Sequence, residues 1–261
     1  MAQDACCRAS SPASFAMLGG NDKFIKAHAD PLPFHYKPET GKMISVPADD
    51  GKPASIFEVK NSQPTSNYLI LVHEWWGLND YIMREAESLQ KDIGNINVLA
   101  VDLYDGKTAP NAEEAGKLMK QAKEERIRSI LKAAIAHAGT NARIQTIGWC
   151  FGGGWSLQTA IMAGSKATGC VMYYGMPEKD STKILRLQAP VLGLFATKDQ
   201  WITPQIVSDF MTMMKKNGKD ITIKNYTADH AFANPSNPVY DKDAAADARK
   251  MAVEFLQKHL R

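Results

Sequence analysis

From Met43 onward the apolar residues fall into short runs separated by stretches with helical spacing. Two runs, Met43-Ile44-Ser45-Val46 and Ala54-Ser55-Ile56-Phe57-Glu58-Val59, flank the turn signal Asp49-Asp50-Gly51 and predict a β-hairpin. Continuous apolar runs follow at Tyr68 to His73, Asn97 to Val101, Ile144 to Trp149, Gly169 to Tyr174, Val191 to Ala196 and Ile221 to Tyr226, the pattern of strands buried on both faces. Between them the spacing predicts helices over Asp80 to Asp92, Ala112 to His137, Trp155 to Ala163, Pro204 to Asn217 and Ala244 to His259. Strands alternating with helices predict βαβ units: an α/β fold with a mostly parallel central sheet and helices on both faces. Residues 1–41 break this regularity, being punctuated by Pro12, Gly19, Gly20, Pro31, Pro33 and Pro38, with one short helix predicted from Asn21 to His28. The expected organisation is an N-terminal extension over 1–41 and a single domain over 42–261.

At 261 residues and 44% hydrophobic, the chain is large enough for one substantial core. A net charge of +3, without a basic stripe interleaved with aromatics, lacks the electrostatic footprint of a nucleic-acid binder and leaves small-molecule chemistry. No apolar run approaches the ~18 residues needed to span a bilayer, and the start lacks the charged and apolar regions of a signal peptide. A soluble protein with no membrane partner is expected, a monomer or small homo-oligomer. It is cytoplasmic as the chain is given, and periplasmic or exported if a signal peptide was removed before Ala2. Four cysteines in a chain this long are no disulfide framework, and adjacent Cys6 and Cys7 are poorly placed to bond each other. No Cys/His spacing resembles a zinc site, so neither metal nor cofactor is expected.

The segment Gly148-Trp149-Cys150-Phe151-Gly152-Gly153 follows the run Arg143 to Ile147 and precedes a helical run beginning after Gly154. That is the setting of a nucleophile elbow, with cysteine where a serine hydrolase carries serine. The alternative is a buried structural thiol beside a Gly-rich turn. An α/β-hydrolase requires the nucleophile to be followed by Asp or Glu and then His. Asp199 follows the run Val191 to Ala196, where it is either the triad acid or a turn aspartate. Of six histidines, His28 and His35 lie in the extension, His137 and His259 on helices, and His73 before the nucleophile; His230 alone combines the order with a strand-end loop. An imidazole held by a carboxylate activates a cysteine for attack on an acyl carbon, giving a thioester. The Phe151 N–H would face the oxyanion, with a second donor from the loop after Leu71-Val72-His73.

That loop, His73-Glu74-Trp75-Trp76-Gly77-Leu78-Asn79, makes a resemblance specific when taken with Asp102-Leu103-Tyr104, the Gly-x-Cys-x-Gly-Gly elbow, Tyr173-Tyr174-Gly175, Asp199 and His230-Ala231-Phe232. From about Met43 to the C-terminus the chain resembles the dienelactone hydrolases of the α/β-hydrolase superfamily. The resemblance implies a single-domain α/β-hydrolase fold and cofactor-independent hydrolysis of esters or lactones. It also implies a triad of Cys150, His230 and Asp199, with the Phe151 and Trp75 backbone N–H groups as oxyanion hole. Glu74 is then the carboxylate that takes the thiol proton when substrate binds, and partial desolvation would raise its pKa toward that task. Two family arginines that hold a substrate carboxylate are replaced, one in Asp105-Gly106-Lys107 and one in Phe232-Ala233-Asn234. Lys107 supplies a point charge without a fork and Asn234 no charge, so dienelactone itself is not the expected substrate. A pocket lined by Trp75, Trp76, Tyr104, Trp149, Tyr174, Trp201 and Phe232 would suit neutral or weakly polar esters and lactones. Two other functions stay open: a non-catalytic ligand-binding protein on the same fold, and a thiol redox protein with Cys6 or Cys7 as resolving thiol.

Overall fold

Eight strands form one sheet in the order β1-β2-β4-β3-β5-β6-β7-β8 in the computed structural model, which describes residues 10–260. The elements run α1 (Ser11–Ala16), a 3-10 turn (Met17–Gly20), α2 (Asp22–Lys26), β1 (Lys42–Val46), β2 (Ala54–Val59), β3 (Asn67–Val72), α3 (Asp80–Ile93), β4 (Asn97–Val101), α4 (Ala112–Gln121), α5 (Glu124–His137), β5 (Arg143–Trp149), α6 (Phe151–Ala163), β6 (Ala167–Tyr173), α7 (Ser181–Ile184), β7 (Val191–Ala196), α8 (Pro204–Lys216), β8 (Ile221–Tyr226) and α9 (Lys242–Lys258). β2 is antiparallel to both its neighbours and the remaining pairings are parallel. The predicted α/β architecture is therefore the observed one. Helices α3 and α9 pack together over β4, β6 and β7, while α5 and α6 pack over the β2–β6 region. Among the described residues no helix is long and apolar enough to cross a membrane.

Three elements differ from expectation. The stretch Ala112 to His137 is two helices, because Ala122 and Lys123 take extended backbone angles between them. Both residues favour helix intrinsically, but the break lets α4 rest on the 3-10 turn while α5 lies on the sheet, and tertiary packing overrides propensity. Helix α6 starts at Phe151, not after Gly154, so its glycines sit inside the first turn. Strand β8, expected to be buried on both faces, is a sheet edge with Thr222, Lys224 and Asn225 exposed.

The extension is built into the fold. Ser10 caps α1 by accepting from the Ala13 N–H, and Asn21 caps α2 through the N–H groups of Lys23 and Phe24. Helix α1, which the composition concealed, rests on α6, and Phe15 and Phe24 are wholly buried in the main core. The 3-10 turn meets α4 backbone to backbone: a Cβ on Gly19 would lie 2.3 Å from the Gly116 carbonyl oxygen. Further along, Glu87 of α3 ties down residues 36–41, accepting from the Tyr36 hydroxyl and from the N–H groups of Glu39, Thr40 and Gly41.

Desolvation works against the charged form of Glu87, yet these donors hold its pKa at about 2, below the ordinary 4.5. A depressed carboxylate stabilises the folded strap fully above 4.5, and that contribution fades as pH falls toward 2. Hydrogen exchange of the 39–41 amides is therefore expected to rise in Glu87→Ala at neutral pH, and to rise in the parent protein only on acidification through that window. Equal protection in both proteins at neutral pH would count against the strap.

Candidate active site

Sheet register delivers the first two groups. β3 and β5 are parallel neighbours with Val72 opposite Gly148, so two further residues on each chain bring Glu74 and Cys150 side by side at the carboxyl edge. β3 lies between β4 and β5, where the winding order reverses and open α/β sheets leave a crevice. His73 fixes the loop that follows: its Nδ1 lies 2.5 Å from the Glu74 carbonyl, and its Nε2 accepts from the Leu103 N–H at 3.1 Å.

Cys150 sits between β5 and α6 at φ 55°, ψ −119°, a backbone region costly for any residue with a side chain. The turn closes only because its neighbours lack side chains: a Cβ on Gly148 would lie 2.2 Å from the Gly152 carbonyl oxygen. The Phe151 N–H, at the start of α6, favours the thiolate form of Cys150. His230 comes from the loop after β8, with Nε2 3.3 Å from Cys150 Sγ and Nδ1 2.6 Å from Asp199 Oδ2. The other Asp199 oxygen accepts the N–H groups of Trp201 and Ile202 at 2.8 and 2.9 Å, so one carboxylate both shapes its turn and faces the histidine.

Burial governs the charges here. It pushes the Cys150 thiol above its ordinary pKa, against the pull of His230. Burial alone would lower His230, but the Asp199 carboxylate and the thiol reverse this and hold it well above the usual value. Burial drives Glu74 up to about 7, although His230, the Tyr174 hydroxyl at 3.3 Å and the Asn234 amide at 2.5 Å all favour its carboxylate. The site therefore holds a thiol, a carboxyl poised near neutrality and a strongly basic imidazole within one buried cluster.

A cavity of about 470 Å³ is lined by Glu74, Asn234, Trp76, Trp149, Tyr81 and Tyr240 among others, and meets the site through Glu74 and Asn234, Cys150 and His230 lying outside its lining. Of the residues expected to line the pocket, Trp76, Trp149 and Asn234 do so, while Trp75, Tyr104, Tyr174, Trp201 and Phe232 do not. Tyr174 packs edge-on to His230 and Phe232, and Tyr104 stacks on Phe151, so these rings buttress the site from beneath. Trp75 and Trp201 are each 5.2 Å from Phe24 of α2, covered by the extension. Lys107 is exposed and outside the cavity, because Asp105 and Gly106 take positive φ and turn the chain outward, Asp105 being pinned to Arg126. Asn234 touches the cavity, but its amide donates to Glu74 and its carbonyl accepts from Ser236.

His28 is the residue that sequence reasoning set aside. Its ring lies 5.5 Å from that of His230 and 4.7 Å from that of Trp75. Its Nδ1 is 2.7 Å from the Phe24 carbonyl, which can only accept, so the proton sits on Nδ1 and Nε2 keeps a bare lone pair. That Nε2 is buried without a hydrogen-bond partner among the described residues. Burial, reinforced by His230, holds the His28 pKa down at about 4. The available signal was the i, i+4 spacing of Phe24 and His28 on the one helix predicted in the extension. Cys6 and Cys7 lie outside the described residues.

Known proteins share this chain's sequence pattern and fold. The profile of the dienelactone hydrolase family matches residues 54–260. The chain is 30% identical over 203 residues to protein usf of Aquifex pyrophilus, covering 74% of this chain and 88% of that protein. It is 25% identical to carboxymethylenebutenolidase 1 of Cupriavidus pinatubonensis, over 82% of this chain and 95% of that enzyme. Among solved structures, a dienelactone hydrolase-like promiscuous phosphotriesterase from metagenomic libraries superposes with a TM-score of 0.70 at 20% identity, covering 85% of this chain and 99% of that one. The chain belongs to the dienelactone hydrolase family of the α/β-hydrolase superfamily and is a hydrolase of carboxylic esters or lactones.

Proposed function

We propose that the protein cleaves neutral or weakly polar esters or lactones through an acyl-cysteine intermediate on Cys150, with His230 as base and Asp199 as its orienting carboxylate. The continuous chain of contacts from Asp199 through His230 to a thiol held at a strained elbow carries this reading. Glu74 takes the thiol proton as substrate arrives, a task suited to a carboxyl titrating near 7. The thiolate attacks the carbonyl carbon while the Phe151 and Trp75 N–H groups receive the oxyanion. His230, protonated at rest beside Asp199, then gives its proton to the departing alcohol, takes one from the water that cleaves the thioester, and the released thiolate recovers its proton from Glu74.

The choice of substrate rests on the cavity walls. Their aromatic side chains suit apolar acyl or alcohol groups, and Asn234, standing where the family holds a carboxylate with arginine, is already bonded to Glu74. Arg249 in the wall is taken up by Glu85 and Asp92.

The test is an acid quench during turnover of p-nitrophenyl acetate, followed by peptide mass spectrometry. An acetyl group on the peptide containing Cys150 is expected. Release of p-nitrophenolate without that adduct would overturn the intermediate. In Glu74→Gln the acylation burst is expected to slow by at least about 10²-fold with the adduct still on Cys150; an unchanged burst removes Glu74 from the step.

A further inference from the structure

We infer that His28, Cys150 and His230 together form a binding site for a thiophilic divalent cation of the Zn²⁺ type, which the N-terminal extension completes and whose occupation silences the thiol. One donor atom from each of the three residues lies within 4.8 Å of the other two, and all three residues are buried. A tetrahedral zinc ion with Zn–S of about 2.3 Å and Zn–N of about 2.0–2.1 Å places its sulfur and nitrogen ligands about 3.5 Å apart. The 3.3 Å separation of His230 Nε2 from Cys150 Sγ already matches that edge. His28 needs to close by about an ångström to complete the face.

The tautomers favour a cation independently of the distances. Metal-binding histidines nearly always donate their second ring N–H to a carboxylate or a backbone carbonyl, which aims the other nitrogen's lone pair at the metal. Here one histidine has each kind of partner: His230 Nδ1 lies 2.6 Å from the Asp199 carboxylate, and His28 Nδ1 lies 2.7 Å from the Phe24 carbonyl. Among the described residues the Nε2 of His28 is left as a buried acceptor without a donor.

A thiolate and two imidazoles select Zn²⁺ and its neighbours over Mg²⁺ or Ca²⁺, and the carboxylates of Asp199 and Glu74 offset the charge of the dication. Binding replaces the Cys150 S–H bond with an S–Zn bond and the His230 Nε2–H bond with an N–Zn bond, so two protons leave to solvent with no change of oxidation state. The bound thiolate cannot attack a carbonyl and His230 cannot accept a proton. The third ligand is held ready because the extension is keyed to α4 at Gly19 and Gly116.

The site goes beyond the hydrolase reading, and its test does not depend on turnover. In the full chain carrying Cys6→Ser and Cys7→Ser, only Cys150 and the buried Cys170 remain as thiols. Titration with Co²⁺ is expected to give one equivalent with a thiolate-to-cobalt charge-transfer band and intense tetrahedral d–d bands, both displaced by Zn²⁺. Cys150→Ser should remove the charge-transfer band, and His28→Ala and His28→Gln should each weaken Zn²⁺ binding at least about 10- to 100-fold. Circular dichroism checks that the variants fold, and the glutamine variant keeps the arm intact if alanine loosens the extension. Absence of the charge-transfer band, or Zn²⁺ affinity unchanged in both His28 variants, would overturn the site. A band that follows His28 and Cys150 in a protein that hydrolyses no ester would leave the site standing and remove the hydrolase mechanism instead.

Discussion

Cys150→Ala and His230→Ala are each expected to lower kcat for ester hydrolysis by about 10⁵- to 10⁶-fold, and the double substitution by no more than either alone. The expectation follows from the single line of contacts that links the two side chains: a thiol pushed up by burial is a poor nucleophile unless the imidazole 3.3 Å away takes part, and among the described residues the imidazole has no other carbonyl-attacking partner. Removing either disables the same step. Asp199→Asn should cost about 10⁴-fold, because an amide facing Nδ1 favours the wrong tautomer. The measurement is kcat for a short p-nitrophenyl ester across the parent and the four variants, with protein purity checked against background hydrolysis. If the double variant loses the product of the two single effects, the residues act independently and the triad reading fails. If the Cys150 variant keeps a tenth of the activity, the nucleophile lies elsewhere.

Gly152→Ala is expected to destabilise the folded chain by more than about 4 kcal/mol. A Cβ there would lie 2.3 Å from the carbonyl oxygens of both Val72 and His73 and 2.8 Å from the Val72 carbonyl carbon. These are backbone atoms at the end of β3, hydrogen-bonded into the middle of the sheet, and they cannot yield as a flexible side chain would. Gly94→Ala, at a residue with φ +92° but nothing within 4 Å, isolates the cost of conformation alone, expected at about 1–2 kcal/mol. Urea unfolding of both variants makes the comparison. A loss of under about 1 kcal/mol at Gly152 would mean that the first turn of α6 shifts freely on the sheet.

The sheet was legible because its strands are runs of apolar and β-branched residues whose burial leaves little choice of conformation. β4 and β7, for example, are buried at every position. Cys150, Asp199 and His230 were legible by chain order, and the structure brings their side chains into hydrogen-bond contact. What stayed hidden was hidden for physical reasons. The break at Ala122-Lys123 uses residues that favour helix, so only the packing of α4 on the extension reveals it. Helix α1 has a readable N-cap in Ser10 and a proline in its first turn, but six residues are too few for periodicity to register. His28 was invisible because its partners come from distant parts of the chain, Cys150 and His230. Of the aromatic residues expected to line a pocket only Trp76 and Trp149 do so, because aromatic character does not distinguish a ring that faces a cavity from one that props up a histidine, such as Tyr174.

The pairing of Val72 with Gly148 has a thermal consequence. Because Glu74 and Cys150 hang from opposed residues of two central strands, their separation is set by backbone hydrogen bonds in the interior of the sheet. The acid and the thiol therefore share no hinge that could soften ahead of the domain. Heating is expected to leave Glu74 and Cys150 in register until β3 and β5 part, so that loss of this pairing and melting of the central sheet are one event.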